Sequence, residues 1–311
     1  MKFTVGLPFT TSPPNPEFLT MEAVSRLAQA AERAGFHSIF ATEHPAPEEA
    51  WRLSGGHDAL DPFIALTVAA AATQKLRLLT SLTVVPVRNP LLLAKTVATL
   101  DALSGGRLTL GVGTGYLESE YAALGVDFAE RNDLFREAME VLPLAFAGEP
   151  FDYEGRHFRA KNIRSLPTPV QTPGPPIWIG GNSKLARRRV IEWGSGWMPM
   201  FNPRALGARR RSAHLENLED LAGMLQHLRE LAEKAERSDP IDVLFSPLRG
   251  GFPGTERWRP QRYSEALDEL AEMGVTGCAV RIPSDNLAHA LDAIGAFGED
   301  IIQTRPREGS A

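Results

Sequence analysis

The sequence contains a single cysteine, Cys278, among its 311 residues. One thiol excludes an internal disulfide and any metal site built on several thiolates, and it is typical of proteins from a reducing cytoplasm. Long apolar runs are also missing, because no stretch approaches the roughly 18 apolar residues that a membrane span needs. The first apolar run, residues 3–7, is followed at once by Pro8 and is too short for the core of an export signal. We therefore expect a soluble, cytoplasmic protein.

Strong charge of one sign is absent as well. The formal net charge is −5, and the arginine clusters at 187–189 and 209–211 are short enough to be solvated helix faces. This balance argues against a broad nucleic-acid surface. The phosphate-binding P-loop, the zinc-protease motif and the hydrolase nucleophile elbow are not present, and the seven histidines lack metal-ligand spacing. The sequence therefore predicts no metal and favours a bound organic cofactor as the source of reactivity.

What the sequence does contain is a regular alternation of short β-type runs with longer stretches of helical period. This alternation is typical of βα units around a parallel sheet. Strands are predicted at residues 3–7, 38–42, 76–84, 108–112, 177–179, 196–198, 242–245 and 277–282. Helices are predicted at residues 20–34, 61–73, 90–103, 132–146, 184–193, 206–236, 263–273 and 286–297. Eight strand–helix units favour an α/β fold with a single closed (β/α)8 TIM barrel, residues 1–311, over an open sheet.

Several connections are longer than ordinary loops. Residues 148–176 contain two short β-like runs around a turn, which predicts an inserted hairpin, and the prolines after it favour an extended return path. Residues 202–216 and 246–260 are predicted to rise over the carboxyl-terminal mouth of the barrel. The polar tail, residues 305–311, is expected to fray.

Barrels of this kind place their active sites at the carboxyl ends of the strands. Glu43 and His44 follow the second predicted strand, and an imidazole there can act as an acid or a base. A histidine before Pro45 can equally stabilise a loop by hydrogen bonding. Ser81 lies among apolar residues of the third strand, where a small side chain either lets a flat ring approach or simply fills an interior layer.

Two glycine-rich turns follow later strands. The run 111–115 has alternate glycines, which permit close backbone approach to a ligand but lack the spacing of the dinucleotide fingerprint. Gly180 and Gly181 precede Asn182 and Ser183, where the start of a helix offers backbone N–H groups to a phosphate. A plain N-cap after a tight turn is the alternative interpretation.

Taken together, four pieces of this sequence resemble the luciferase-like monooxygenase superfamily and, within it, the coenzyme F420-dependent oxidoreductases. They are Thr-Glu-His at 42–44, the run from Pro86 to Lys95, Leu-Ser-Gly-Gly-Arg at 103–107 with the glycine run behind it, and Ile-Gly-Gly-Asn-Ser at 179–183 with Gly-Trp at 196–197. The resemblance is clear from the first strand to about Pro199 and less distinct beyond it.

The resemblance implies a flavin or deazaflavin ring in the barrel mouth, backed by a non-prolyl cis peptide bond between Ser81 and Leu82. It implies that His44 faces the reacting carbon as the acid or base. Contacts to the ring or ribityl chain are implied for Glu43, Ser81, Leu82, Thr114 and Ser119, and contacts to the phosphate for Gly180, Gly181, Asn182 and Ser183.

The activity implied is hydride transfer between F420 and a small organic substrate. Tyr116 stands where F420 relatives that oxidise a sugar phosphate have a glutamate, which argues against that substrate. Two alternatives stay open, namely an FMN-dependent two-component monooxygenase of the same fold and a catalytically silent cofactor-binding subunit. Phe63, Leu66 and Leu92 on the second and third predicted helices indicate a homodimer, unless these residues belong to the core.

Overall fold

The structure of the protein is a computed structural model that describes residues 1–9, 11–205 and 211–305. The main sheet has the order β10-β9-β8-β5-β3-β2-β1-β11, with β4 beside β5, and all of its pairings are parallel. The strands are β1 (Lys2–Gly6), β2 (Ser38–Ala41), β3 (Arg77–Thr80), β4 (Thr83–Val84), β5 (Leu108–Gly113), β6 (Phe151–Glu154), β7 (Arg159–Ile163), β8 (Ile177–Gly180), β9 (Gly196–Met198), β10 (Asp242–Val243) and β11 (Gly277–Val280).

The two ends of this sheet meet, so the strands form a barrel. Leu244 and Gly277 form an isolated parallel bridge between β10 and β11. On either side of it, the Phe245 amide donates to the Gly277 carbonyl and the Thr276 amide to the Val243 carbonyl, both at 3.0 Å. Together β3 and β4 form one interrupted strand of the barrel. With this pair counted once, the barrel has eight strand positions, which we call staves. The predicted (β/α)8 fold is confirmed.

The third stave is interrupted where the resemblance placed a cis peptide bond. The bond between Ser81 and Leu82 is cis, so this prediction is confirmed. The Thr80 hydroxyl donates to the Gly111 carbonyl at 2.7 Å and ties this stave to β5. A Cβ atom on Gly111 would lie 2.0 Å from the Thr80 carbonyl oxygen, so only glycine lets the two staves approach this closely.

The helices are α1 (Met21–Ala34), α2 (Glu49–Leu53), α3 (Pro62–Ala72), α4 (Pro90–Ser104), α5 (Glu118–Ala123), α6 (Arg131–Phe146), α7 (Lys184–Trp193), α8 (Leu218–Lys234), α9 (Pro260–Glu272) and α10 (Leu287–Phe297). The longer helices cover the outside of the barrel, and the short helices α2 and α5 lie at its mouth. The short helices α2 and α5 were not predicted. Among the described residues, no helix combines the length and the apolar character needed to cross a bilayer.

The predicted start of the helix at 206–236 is wrong. The helix α8 begins at Leu218, because the Asn217 side chain accepts from the Asp220 amide and caps it there. Before it, Asn202 and Leu215 pair as an isolated antiparallel bridge. Residues 206–210 lie outside the described part of the chain.

The apolar core lies between the barrel and its helices, with a smaller cluster inside the barrel. Phe63 and Leu66 belong to this core, with 4% and 0% of their surfaces exposed, so the idea that they form a dimer surface is wrong. Leu92 is 70% exposed. Cys278 is fully buried 3.2 Å from the Tyr263 hydroxyl, and burial raises the pKa of its thiol to about 12.

The segment 148–176 contains the antiparallel strands β6 and β7. The turn between them packs on α6, where the buried Glu137 carboxylate accepts from the amides of Arg156, His157 and Phe158 at 3.0–3.2 Å. The segment leaves the end of α6 and enters β8, so this hairpin covers the outer wall of the barrel. The antiparallel pair agrees with the inserted hairpin that the sequence predicted for this segment.

The other predicted insertions do lie near the mouth. In the segment 202–216, the Ser212 hydroxyl accepts from the Asn182 amide at the end of β8. In the loop 246–260, the Phe252 ring lies under the guanidinium of Arg281, which follows β11. At the carboxyl end, Arg305 is held by Ser264 and Asp268, and residues 306–311 of the predicted frayed tail lie outside the described residues.

Candidate active site

The floor of the mouth is built by large apolar side chains that lie over glycines. A Cβ atom on Gly180 would lie 2.0 Å from Leu82 Cδ1, and one on Gly113 would lie 2.9 Å from the same atom. On the other side of the barrel, the Phe40 ring covers Gly6 in the same way, 2.6 Å from the position of a Cβ atom. Because these glycines have no side chain, Leu82 and Phe40 can fill the interior of the barrel just below its mouth.

His44 lies three residues beyond β2 and contacts a buried carboxylate. Its Nδ1 atom is 3.4 Å from Oε2 of Glu120, and the two side chains are only 10% and 8% exposed. The other carboxylate oxygen of Glu120 accepts from the Ala46 amide at 3.2 Å. The structure thus places an imidazole and a carboxylate together at the mouth, an arrangement that can accept and release a proton.

Aromatic rings from three separate segments surround His44. The ring centroids of Trp51, His57 and Tyr116 lie 4.5, 5.0 and 6.1 Å from that of His44. Burial lowers the pKa of His57, and the charge of Arg281 lowers it further. His57 is therefore neutral at neutral pH and adds no charge to the site.

Glu43 lies beside His44 in sequence but is directed elsewhere. Its Oε2 atom accepts from the Val84 amide at 2.6 Å, and its Oε1 atom accepts from Arg88 Nε at 3.0 Å. Burial alone would lower the pKa of Arg88, but the hydrogen bonds and charges of Glu43 and Asp61 raise it above its ordinary value. Because both oxygens of Glu43 are engaged, we expect this residue to act on a cofactor only through the position of β4.

The predicted phosphate site lies at the start of α7. The Ser183 hydroxyl caps this helix by accepting from the Ala186 amide at 3.0 Å. Asn182 is fully buried, and its side chain bonds to both backbone groups of Met200 and to the Ala213 carbonyl at 2.7–2.9 Å. Asn182 therefore fixes the neighbouring segment, while the first-turn amides of α7 have no acceptor within their own helix.

The glycines before this helix shape the turn. Gly181 adopts φ +109°, a conformation that favours glycine. Its carbonyl accepts from Trp197 Nε1 at 2.9 Å, and its amide donates to the Met198 carbonyl at 3.2 Å. Gly180 ends β8 next to the Leu82 side chain. The predicted phosphate residues are thus adjacent to the floor of the mouth.

Thr114 and Ser119 belong to the turn after β5. The Tyr121 hydroxyl donates to the Thr114 carbonyl, which fixes the backbone of the glycine-rich run. Burial raises the pKa of Tyr121 well above its ordinary value, so this donor stays protonated. Ser119 is partly exposed in α5, directly before Glu120. Both predicted residues therefore lie on the same side of the mouth as the partner of His44.

The sequence analysis missed Glu120, Trp51 and His57. Glu120 is 76 residues from His44, and the two follow β2 and β5, which lie on either side of β3 in the folded barrel. Alternate acidic residues at 118 and 120 were the one available signal, and they do not reveal which of the two is buried. Among the described residues, no group of His, Cys, Asp and Glu is arranged to hold a metal ion.

Comparison with known proteins shows the family to which the chain belongs. The luciferase-like monooxygenase family matches residues 1–248, and the chain belongs to this family. The family resemblance drawn from the sequence is therefore confirmed.

Two curated relatives come from Mycobacterium tuberculosis, and each is 30% identical to this chain. One is an uncharacterised protein matched over 184 residues, and the other is an F420-dependent hydroxymycolic acid dehydrogenase matched over 174 residues. Both matches cover 55% of this chain, and they span 63% and 47% of the relatives' own lengths.

Among solved structures, a monooxygenase from Streptomyces bottropensis is 23% identical with a TM-score of 0.80, covering 98% of this chain and 99% of its own. The oxygenating constituent of 3,6-diketocamphane monooxygenase from Pseudomonas putida, in complex with FMN, is 16% identical with a TM-score of 0.77, covering 98% and 99%. At these identities, the two structures establish the shared fold alone.

Proposed function

We propose that this protein is an F420-dependent oxidoreductase that transfers hydride between the deazaflavin and a small organic substrate. The observation that carries the proposal is the contact between His44 and the buried Glu120 above an apolar floor. This arrangement provides a proton acceptor next to a surface on which a flat ring can lie. The 30% identity to an F420-dependent dehydrogenase supports the choice of cofactor.

The residues present fit such a cofactor. Leu82 lies over Gly113 and Gly180 and offers an apolar face to a planar ring. Thr114 and Ser119 line the adjacent turn, and the first turn of α7 at Ser183 offers amides to a phosphate. When bound, the deazaflavin supplies the carbon that exchanges hydride with the substrate.

The side chains of this chain handle the proton that accompanies the hydride. In the direction of alcohol oxidation, His44 accepts the hydroxyl proton, and in the opposite direction it returns the proton. Trp51 and Tyr116 cover the imidazole and limit the access of water to it, which keeps the proton within the site.

We also propose that the protein forms a homodimer through its neighbouring helices α3 and α4. Ile64, Leu92 and Leu103 on these helices are 69%, 70% and 72% exposed, so the two helices offer apolar surface to a second copy. Light scattering of the purified protein tests this, because a Leu92→Glu, Leu103→Glu double variant should be monomeric if the helices form the interface.

The function is tested by titrating the purified protein with F420 and, separately, with FMN while following ring fluorescence. Tight binding of F420 with weak binding of FMN is the expected result. The reverse preference would move the assignment to an FMN-dependent monooxygenase, and binding of neither would overturn the cofactor assignment. If F420 binds but His44→Ala leaves turnover of a substrate unchanged, the reaction uses a different acid or base.

A further inference from the structure

The protonation state of His44 depends on which ring nitrogen carries the hydrogen. A neutral imidazole has one N–H donor and one acceptor nitrogen, and the neighbour of one nitrogen decides the state of the other. A histidine that accepts a substrate proton through Nε2 must therefore carry its own hydrogen on Nδ1. The groups around Nδ1 decide whether His44 can do so.

Glu120 is the group that faces Nδ1. Its Oε2 atom lies 3.4 Å from Nδ1, a long contact of the kind that tightens when a substrate complex forms. Its Oε1 atom is occupied by the amide of Ala46, two residues beyond His44. The same carboxylate thus holds both the ring of His44 and the backbone that carries it.

Other polar groups nearby do not take this place. His57 packs edge-on against the ring of His44, but its own Nδ1 atom contacts the Asp58 carbonyl at 3.0 Å. Glu118 lies on the same helix as Glu120 but forms a surface ion pair with Arg211 at 2.7 Å and is 61% exposed. Glu120 is therefore the carboxylate in α5 that acts on His44, and Glu118 is its natural control.

We propose that Glu120 is a positioning residue that holds the hydrogen of His44 on Nδ1 and leaves Nε2 free to accept a proton. The catalytic part of this inference rests on the proposed function. In alcohol oxidation, a bound deazaflavin would accept the hydride of the substrate C–H bond, and the O–H electron pair of the substrate would form the C=O bond of the product. The hydroxyl proton moves to Nε2 of His44, and the Glu120 carboxylate stabilises the imidazolium that forms.

The tautomer is read directly by nitrogen-15 NMR of the cofactor-free protein, with the His44 signals assigned by their loss in His44→Gln. We expect wild-type His44 to carry its hydrogen on Nδ1. In Glu120→Gln, the side-chain oxygen of the glutamine still accepts from the Ala46 amide. The NH2 group of the glutamine then faces Nδ1, which must act as an acceptor. The hydrogen of His44 therefore moves to Nε2. Glu120→Asp keeps an acceptor and should keep the wild-type tautomer, and Glu118→Gln should match wild type.

The kinetic consequence is measured on the same variants once a substrate is in hand. We expect Glu120→Gln to lower kcat about 100-fold or more with little change in KM, and Glu118→Gln to change neither. Retention of the Nδ1 hydrogen in Glu120→Gln overturns the inference. Reversal of the tautomer with unchanged kcat overturns its catalytic part.

The NMR experiment needs no cofactor, so it distinguishes failure of this inference from failure of the F420 assignment. A protein that prefers FMN but shows the expected tautomers would refute the proposed function and leave the role of Glu120 in place. Circular dichroism of each variant shows whether it folds, and Glu120→Asp provides a second variant if Glu120→Gln does not.

Discussion

Asp101 at the amino-terminal end of the barrel and His44 at its mouth are held in different ways. At the amino-terminal end, the fully buried Asp101 accepts from the amides of Val170 and Gln171 and from the side chain of Gln171 at 2.7–3.0 Å. Arg77 adds donations to the Gln171 side chain and the Leu108 carbonyl at 3.1–3.2 Å. At the mouth, by contrast, His44 contacts its carboxylate at 3.4 Å and is otherwise surrounded by rings.

A second carboxylate at the amino-terminal end, that of Asp242, also accepts several short hydrogen bonds. Lys2 forms an ion pair with Asp242 at 3.0 Å, and the Thr276 hydroxyl donates to the same carboxylate at 2.9 Å. These bonds join β1, β10 and the approach to β11 where the barrel closes. The comparison indicates that the amino end holds the staves together, whereas the mouth keeps a proton-transfer group available.

The largest effect that this comparison predicts is on turnover. Replacing His44 with alanine should lower kcat about 10²- to 10⁴-fold, because the proton acceptor is lost while the floor of the mouth stays in place. Steady-state kinetics measures the loss, and urea denaturation should show a much smaller change in stability than a substitution at the amino end. A variant that keeps wild-type kcat would contradict the division between the two ends.

The opposite result is expected for Asp101→Asn. The new NH2 group would face donors that now bond to a carboxylate, so the variant should lose about 2 kcal/mol of unfolding free energy. Urea denaturation checks the stability, and kcat of the folded fraction should match wild type. A large loss of kcat without loss of stability would show that the amino end also serves catalysis.

A smaller effect is expected from a single methyl group at the floor of the mouth. In Gly180→Ala, the added Cβ would lie 2.0 Å from Leu82 Cδ1, so Leu82 must move into the space above the floor. We expect cofactor binding to weaken about tenfold, roughly 1.4 kcal/mol, as measured by fluorescence titration. The control is Gly223→Ala in α8, where a Cβ would meet no atom within 4 Å and binding should not change.

The smallest effect concerns pH and the loop 246–260. The pKa of His289 is raised by the side chain of Asp285 and then by the Gly254 carbonyl, which lie 2.9 and 2.7 Å from its ring nitrogens. Because the folded pKa is above the unfolded one, the contribution to stability is complete below about pH 6.5 and is lost as the pH rises through the folded pKa.

Hydrogen exchange of this loop, followed against pH, measures the effect of His289. Protection at Gly254 should fall as the pH rises, and the change should be modest because both side chains of the ion pair are well exposed. His289→Gln can still donate to the carbonyl but does not titrate, so its protection should be independent of pH. A wild-type loop that shows no pH dependence would contradict this assignment.

The sequence was sufficient for the barrel because each stave is a short apolar run followed by a helical period, and both are local signals. It also placed His44 correctly at the end of β2. It did not predict the role of Glu120, because nothing in residues 116–123 shows which acidic side chain contacts His44, 76 residues away in sequence. It located the hairpin in 148–176 but not the side chain that holds its turn, since Glu137 lies on a helix and resembles a surface residue in sequence.

The interior position of Cys278 makes this protein convenient for site-specific spectroscopy. A thiol that is fully buried, with a pKa near 12, does not compete for maleimide or iodoacetamide reagents while the protein is folded. A cysteine introduced at Leu53, which is 79% exposed in α2 close to Trp51, would therefore carry a fluorophore alone. The native chain thus adds no label of its own, and the fluorescence of this label reports on the surroundings of Trp51 and His44 alone.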